Sequence, residues 1–196
     1  MGHSRAEKAE SRERILDVAA AQIRQGGLDS VSIAEIMKAA NLTHGGFYGH
    51  FPSRAALIEA ALERALDRGE AAFFAGRTPN ANASVKSIVN GYLRPSHRDD
   101  IRDGCAIAAL SGDVGRAEDD EVRAQMARRV ERSFEDMAKA MGGGEKAEAA
   151  AITAWCAMVG AMSLSRVFRG TRRSDEILRT VRQSILDLEA AVRPGD

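Results

Sequence analysis

Between Asn41 and Phe51 the chain reads NLTHGGFYGHF. Thr43, His44, Tyr48 and His50 place four hydrogen-bonding side chains in this short stretch, around Gly45, Gly46 and Gly49. A hydroxyl, two imidazoles and a phenol can bind phosphate oxygens and base edges. Glycine inside a helix costs about 1 kcal/mol relative to alanine, so three of them need a reason. A helix laid in a major groove brings its backbone close to bases and phosphates, and glycine permits that approach. A helical hairpin whose glycines fit a tight internal crossing accounts for the same residues. Spacing alone leaves both readings open.

The flanking sequence says how this stretch is held. Ser32-Ile33-Ala34-Glu35 has the form of a capping box, with the serine capping the backbone and Glu35 reaching back. Ile33, Ile36, Met37 and Ala40 follow as an apolar stripe. Asn41 tolerates a left-handed turn, and Thr43 can cap a short helix to His50. Pro52 ends that helix, Ser53 caps again, and a long helix opens at Arg54. The interval Ser32–Phe51 has helix-turn-helix spacing, with Ile36, Ala40, Leu42, Phe47 and Phe51 as its expected core. An earlier helix, Ser11 to Gln25 with a start as early as Ser4, turns Ile15, Val18, Ala19 and Ile23 to one side and stops at Gly26–Gly27.

No segment alternates as a strand does, while i, i+3, i+4 apolar spacing recurs throughout. Breaks at 78–83, 94–104, 142–144 and 170–173 leave about nine helices in all, an all-α chain. After the long helix to Phe74 these cover Ser84–Leu93, Arg102–Gly115, Glu118–Met141, Glu145–Phe168 and Ser174–Val192. With 196 residues, 44% hydrophobic and 29% charged, the chain can build one good core, or a small module joined to a larger one. Its formal net charge of zero weighs against non-specific coating of nucleic acid but not against a local basic face. The longest apolar run, Ala154–Met162, is too short to span a bilayer. With no leader-like start, a cytoplasmic protein without membrane contact is expected, its Cys105 and Cys156 free thiols.

The segment SIAEIMKAANLTHGGFYGHFPSRAALIEAAL resembles the DNA-binding unit of the TetR family of bacterial transcriptional regulators, over roughly residues 10 to 66. The aromatic FYGHF followed by Pro52 and Ser53 is its most specific part. The resemblance implies an N-terminal three-helix DNA-binding domain over 1–53 and a helical ligand-binding and dimerisation domain over 54–196. It places Thr43, His44 and Gly45 at the bases of double-stranded operator DNA, with Gly46 in the same DNA-binding set. Tyr48, His50, Ser32 and Arg54 would touch phosphates. Many relatives carry lysine or arginine where His44 stands, and a larger polar residue where Gly49 stands, so this face is less basic than usual. Arg5, Lys8, Arg12 and Arg14 near the N-terminus can compensate, although Glu7, Glu10 and Glu13 alternate with them.

The same resemblance implies a homodimer through the last two long helices, where Ala147, Ala150, Ala151, Ala154, Ala157, Gly160 and Ala161 would allow close packing. An alanine-rich internal helix explains these residues equally. It also implies a cavity for a small-molecule inducer, with Phe73, Phe74, Tyr92, Cys105, Met126, Phe134, Trp155 and Met158 as wall candidates and an uncharged or aromatic ligand. His97, Asp99, Asp100, Asp103 and Cys105 read as a capped loop rather than a metal site. Arg166, Arg169, Arg172 and Arg173 read as a solvated turn at a helix C-terminus. No cofactor and no enzymatic activity are expected, since no nucleophile motif, phosphate loop or dinucleotide fingerprint occurs. The expectation is a ligand-responsive repressor. The alternative is an all-helical small-molecule-binding protein or enzyme that does not bind DNA.

Overall fold

A computed structural model describes residues 5–74 and 83–192, with the side chains of 72–74 outside that description; among the described residues there is no strand. Helix α1 spans Arg5–Gly26, α2 Ile33–Ala39 and α3 Arg54–Phe74. The rest are α4 Val85–Tyr92, α5 Pro95–Asp99, α6 Ala106–Arg116, α7 Asp120–Ala140, α8 Glu145–Val167 and α9 Arg172–Val192. Two 3-10 turns, Leu28–Ser30 and His44–Gly49, complete the set. The expected short recognition helix is therefore a 3-10 turn. The loop expected before Cys105 contains α5, which Pro95 opens because a proline at the first helical position lacks only an N–H that would be unpaired anyway.

The local signals act largely as written. Ser32 Oγ accepts from the Glu35 N–H at 3.4 Å. The reciprocal half of the capping box is missing, since the Glu35 carboxylate accepts from Gln22 instead. Helix α2 ends in a Schellman motif: Asn41 adopts φ 58°, its N–H reaches Lys38 O, and the Leu42 N–H reaches Met37 O at 2.8 Å. Ser53 Oγ accepts from the Ala56 N–H at 3.0 Å and caps α3. Thr43, expected as a cap, makes no side-chain capping bond.

Helices α1, α2 and the 44–49 turn close around Ile15, Ala19, Ile23, Ile36, Phe47 and Phe51, all buried, with Leu42 half-buried at the edge. Helix α3 packs along α1 through Leu57, Ala61, Leu62 and Ala65. Outside this apolar seam Arg64 pairs with Glu13 and Asp17, and Arg68 with Asp17 at 2.7 Å. The upper half of α3 then packs against α4, α6 and α7.

Helix α8 packs between α7 and α9. By length and composition it could cross a membrane, with a mean hydropathy of 1.4 over its best window. It is instead a core helix with one open side. Ala147, Ala150, Ala151, Ala154 and Ala161 are buried within the protomer, so these five belong to the internal-helix reading; only Ala157 and Gly160 are partly open. The open side carries Ile152, Cys156, Leu164, Val167 and Phe168.

The two halves meet at a pair of glycines. A Cβ on Gly69 of α3 would sit 2.9 Å from Gly104 O and 3.2 Å from Ala106 N, and one on Gly104 would sit 2.1 Å from Asp100 O. The Arg24 guanidinium, buried between the halves, donates to Ala65 O at 3.2 Å and to Gly104 O. Gly69→Ala gains about 1 kcal/mol of helix propensity, but it must push α3 off the backbone that starts α6. We expect a net loss of about 1–3 kcal/mol, read as a lower midpoint in urea. An unchanged midpoint would show that α3 slides freely here.

Candidate nucleic-acid interface and central cavity

Phe47 and Phe51 anchor the 44–49 turn in the core, their rings stacked at 6.0 Å. This fixes which residues face out. Thr43, His44, Gly45, Tyr48 and Gly49 are exposed, while Gly46 and His50 are half-buried. Tyr48 is 71% exposed, its ring edge-on to Phe47 at 5.2 Å. A Cβ added at Gly45 or Gly49 would meet nothing within 4 Å, and one at Gly46 would make only ordinary contacts with Thr43 and Met37. None of the three has a positive φ. These glycines therefore serve neither a tight crossing nor a left-handed turn. They leave a flat, open patch of backbone flanked by a hydroxyl, an imidazole and a phenol.

The cations around this patch divide into two sets. Arg54 Nε and Nη2 donate to Val31 O at 3.1 Å and Asp29 O at 3.3 Å, so its guanidinium ties the start of α3 to the turn after α1. Arg14 is held by Glu10 and Ser11. Arg12 instead lies over the Phe51 ring, 4.8 Å from its centroid, beside the patch. Ser32 is half-buried, its hydroxyl engaged at the cap of α2.

The second site is a cavity of about 410 Å³ bounded by α3, α4, α6, α7 and α8. Leu66, Ile88, Tyr92, Cys105, Ile107, Met137 and Trp155 form its apolar wall; Glu70, Arg129, Arg132 and Asp136 form a charged side. Of the wall candidates from sequence, Tyr92, Cys105 and Trp155 line it. Met126 and Met158 are buried in the core away from its lining, and Phe134 packs half-buried against that core. The side chains of Phe73 and Phe74 lie outside the described residues. Leu66, Gly69, Ile88, Ile107 and Met137 were hidden in the sequence because each sits on an ordinary helical stripe.

The cavity also has a charged side that the wall candidates from sequence did not include. Arg129 is buried and bonded to Asp67 at 2.5 Å and to Glu70. Burial opposes its charge, yet Asp67, Glu70 and Glu63 together hold its pKa above the ordinary arginine value. Two acids and two bases leave the described lining with no formal net charge.

Cys105 joins wall to frame. Its Sγ accepts from the Tyr92 hydroxyl at 3.0 Å and from the Ala108 N–H at 3.3 Å, so it is the N-cap of α6. Burial, reinforced by Cys105, raises the Tyr92 phenol well above its usual pKa and keeps it a donor. The neighbouring residues hold the loop together. His97 Nδ1 lies 2.8 Å from Tyr92 O, Asp99 pairs with Arg98, and Asp100 accepts from the Asp103 N–H. Arg166 Nε donates to Arg98 O, and Arg173 pairs with Glu176.

A sequence profile of bacterial regulatory proteins of the tetR family matches residues 15–61. A helix-turn-helix transcriptional regulator of Mycobacterium tuberculosis (strain H37Rv) is 26% identical over 184 residues, covering 89% of this chain and 94% of that one. The repressor KstR of Mycolicibacterium smegmatis is 36% identical over 74 residues, 36% of each chain. Among solved structures, a TetR regulator from Chloroflexus aurantiacus superposes with a TM-score of 0.77 at 20% identity, covering 93% of this chain and 95% of that one. A TetR-family regulator from Streptomyces coelicolor gives 0.75 at 22% identity, covering 94% and 96%. The fold agrees over nearly the whole chain, and residues 15–61, the helices that carry the glycine patch, match the tetR family of bacterial regulatory proteins.

Proposed function

We propose that residues 1–53 read operator DNA, that residues 54–196 bind a small inducer and dimerise, and that inducer binding releases the DNA in the cytoplasm. One observation carries the reading of the interface: a Cβ at Gly45 or Gly49 would stand in open space, and one at Gly46 would make only ordinary contacts, on a segment whose aromatic anchors are buried. Internal packing does not require them, whereas close approach to a groove does. Thr43 and His44 meet base edges, while Tyr48, with Arg12 beside it, meets phosphates. Ser32, His50 and Arg54 flank that contact, Arg54 by shaping the turn before α2 as well as by its charge. The alternative of a helical binding protein without DNA contact leaves the open glycines unexplained.

Gly45→Ala and Gly46→Ala should keep or raise stability, by up to about 1 kcal/mol each, while weakening DNA binding. Tyr48→Phe should weaken binding to all sequences alike. His44→Ala should change sequence preference, by about 1–3 kcal/mol at one position. Enrichment from random duplexes at several salt concentrations measures each. Enrichment of no motif, or affinity indifferent to salt, would sink the DNA reading.

The homodimer uses the open side of α8. Ile152, Leu164 and Val167 are 48%, 56% and 77% exposed there, and with Phe168 they make four of the six exposed large apolar residues among the described ones. Helix-turn-helix dimers read half-sites about 34–36 Å apart. Leu164→Arg should therefore give a folded monomer in sedimentation with weakened operator binding. A dimer that survives this change would move the interface elsewhere.

Inducer coupling runs through the glycine contact. Cys105 lines the cavity, the adjacent Gly104 O receives Arg24, and Arg24 belongs to the helix that packs against the reading segment. Coupling of about 1–3 kcal/mol, some 5- to 150-fold, is typical. Operator DNA must then weaken inducer binding by the factor by which inducer weakens DNA binding. Trp155, the only tryptophan, lines the cavity and reports occupancy by its fluorescence. Arg24→Met should shrink that factor several-fold while the protein remains folded by circular dichroism. An unchanged factor would place the coupling route elsewhere.

A further inference from the structure

Arg129, Arg132 and Asp136, three of the charged residues that line the cavity, come from one helix, α7. With Ser133 and Met137 they stand at i, i+3, i+4, i+7 and i+8, the spacing that turns residues to one side of a helix. The cavity is therefore amphipathic. Its polar side is built on α7, and its apolar wall includes Tyr92, Trp155, Ile88 and Ile107. Arg132, Asp136 and Glu70 are exposed, so the polar side is also where the cavity meets solvent.

These charges are not equivalent. Arg129 is buried, and its two terminal nitrogens are taken by Asp67 at 2.5 Å, by Glu63 at 3.5 Å and by Glu70. The Asp136 carboxylate pairs with Lys139 at 3.4 Å. The Ser133 hydroxyl donates back to Arg129 O at 3.1 Å. Arg132 makes neither an ion pair nor a hydrogen bond among the described residues, and residues 72–82 contain no aspartate or glutamate. Each acid of the lining thus has a base, while one base has no acid. A guanidinium keeps its charge and presents its donors in a planar fork.

We infer that the cavity takes an amphipathic monoanion: an apolar acid whose carboxylate meets Arg132 and whose body lies along the Tyr92 and Trp155 wall. A carboxylate matches the guanidinium fork with two parallel hydrogen bonds. A cation would have to share carboxylates already turned to Arg129 and Lys139. Acids outnumber bases in this corner, Glu63, Asp67, Glu70 and Asp136 against Arg129, Arg132 and Lys139, which limits the ligand to a single charge. A phosphate ester, with nearly twice that charge, would be repelled by Glu70 and Asp136. The body is held by apolar burial, and the Tyr92 and Trp155 rings, 5.2 Å apart, favour an aromatic one. A cavity of about 410 Å³ accommodates a bicyclic molecule. This inference rests on the reading of the cavity as the inducer site.

The test uses the intact protein and four matched probes: 2-naphthoate, methyl 2-naphthoate, 2-naphthylmethylamine and 2-naphthyl phosphate, each titrated by calorimetry. 2-Naphthoate should bind about five-fold tighter than its ester, the scale of one solvated ion pair, and tighter than the amine or the phosphate. Added salt should narrow the gap. Arg132→Gln should bring 2-naphthoate to the level of the ester while the ester binds as before. Arg132 is exposed and unbonded, so the variant should keep its fold by circular dichroism. Arg132→Lys keeps the charge without the fork and should retain part of the preference. No binding by 2-naphthoate, an ester, amine or phosphate that binds as tightly, or an unchanged preference in Arg132→Gln would overturn the assignment. The regulator reading fails separately. If the preference holds and depends on Arg132, yet 2-naphthoate leaves operator affinity unchanged, the site chemistry stands and ligand-driven release by this class is lost.

Discussion

The buried guanidinium of Arg24 ties α1 of the N-terminal unit to the backbone beside the cavity wall. It bridges α3 at Ala65 and the turn before α6 at Gly104. Burial pushes its pKa down, opposed by Asp103, Cys105 and Asp100 nearby. A cation in such a place needs compensating hydrogen bonds, which its Nη1 and Nη2 make while Nε has none. Those bonds need two carbonyls close together, which in turn needs the backbones of α3 and the 100–104 loop in contact. Gly69 and Gly104 are the residues whose missing side chains allow that contact. The same contact sets Cys105, the residue after Gly104, on the cavity wall.

The glycines of the chain thus divide by purpose. Gly69 and Gly104 face backbone at distances no Cβ tolerates, and Gly142 and Gly143 end α7 with positive φ. Gly45 and Gly49 face open space without either constraint. The same residue type marks internal crowding in one place and an outward approach in the other, and only the surroundings tell them apart. Charge shows a similar division. Arg54, Arg64 and Arg14 are engaged inside the N-terminal unit, so a weakly basic face depends on Arg12 and on neutral hydrogen-bonding groups.

The cavity is two-sided in character. On its charged side Arg129 is neutralised by Asp67 and Glu70. Its apolar side presents the aromatic residues Tyr92 and Trp155 among aliphatic ones. Helix α8 serves both the cavity and the outside. Trp155 lines the cavity, the buried alanines let α7 and α9 approach, and Leu164 with its neighbours remains open.

The sequence by itself determined the all-helical class, most element boundaries and the reading segment, because those follow from local rules. The 3.6-residue apolar period, Ser32 and Ser53 as caps, Asn41 in a left-handed turn and Pro52 as a stop all act within a few residues. The core of the reading segment was legible for the same reason: Phe47 and Phe51 occupy the inward side of a short turn whichever helical form it takes. Tertiary structure alone decided what depends on distant parts of the chain. Met126 and Met158 look as suited to a cavity wall as Ile88 and Met137, and only the crossing of five helices separates them. The alanines of α8 read equally as interface or interior until α7 and α9 cover one side. Arg24 reads as an ordinary cation at a helix end, because its acceptors lie 41 and 80 residues away. Local preference acts over one or two turns; burial and hydrogen bonding of that residue are settled by contacts no local pattern encodes.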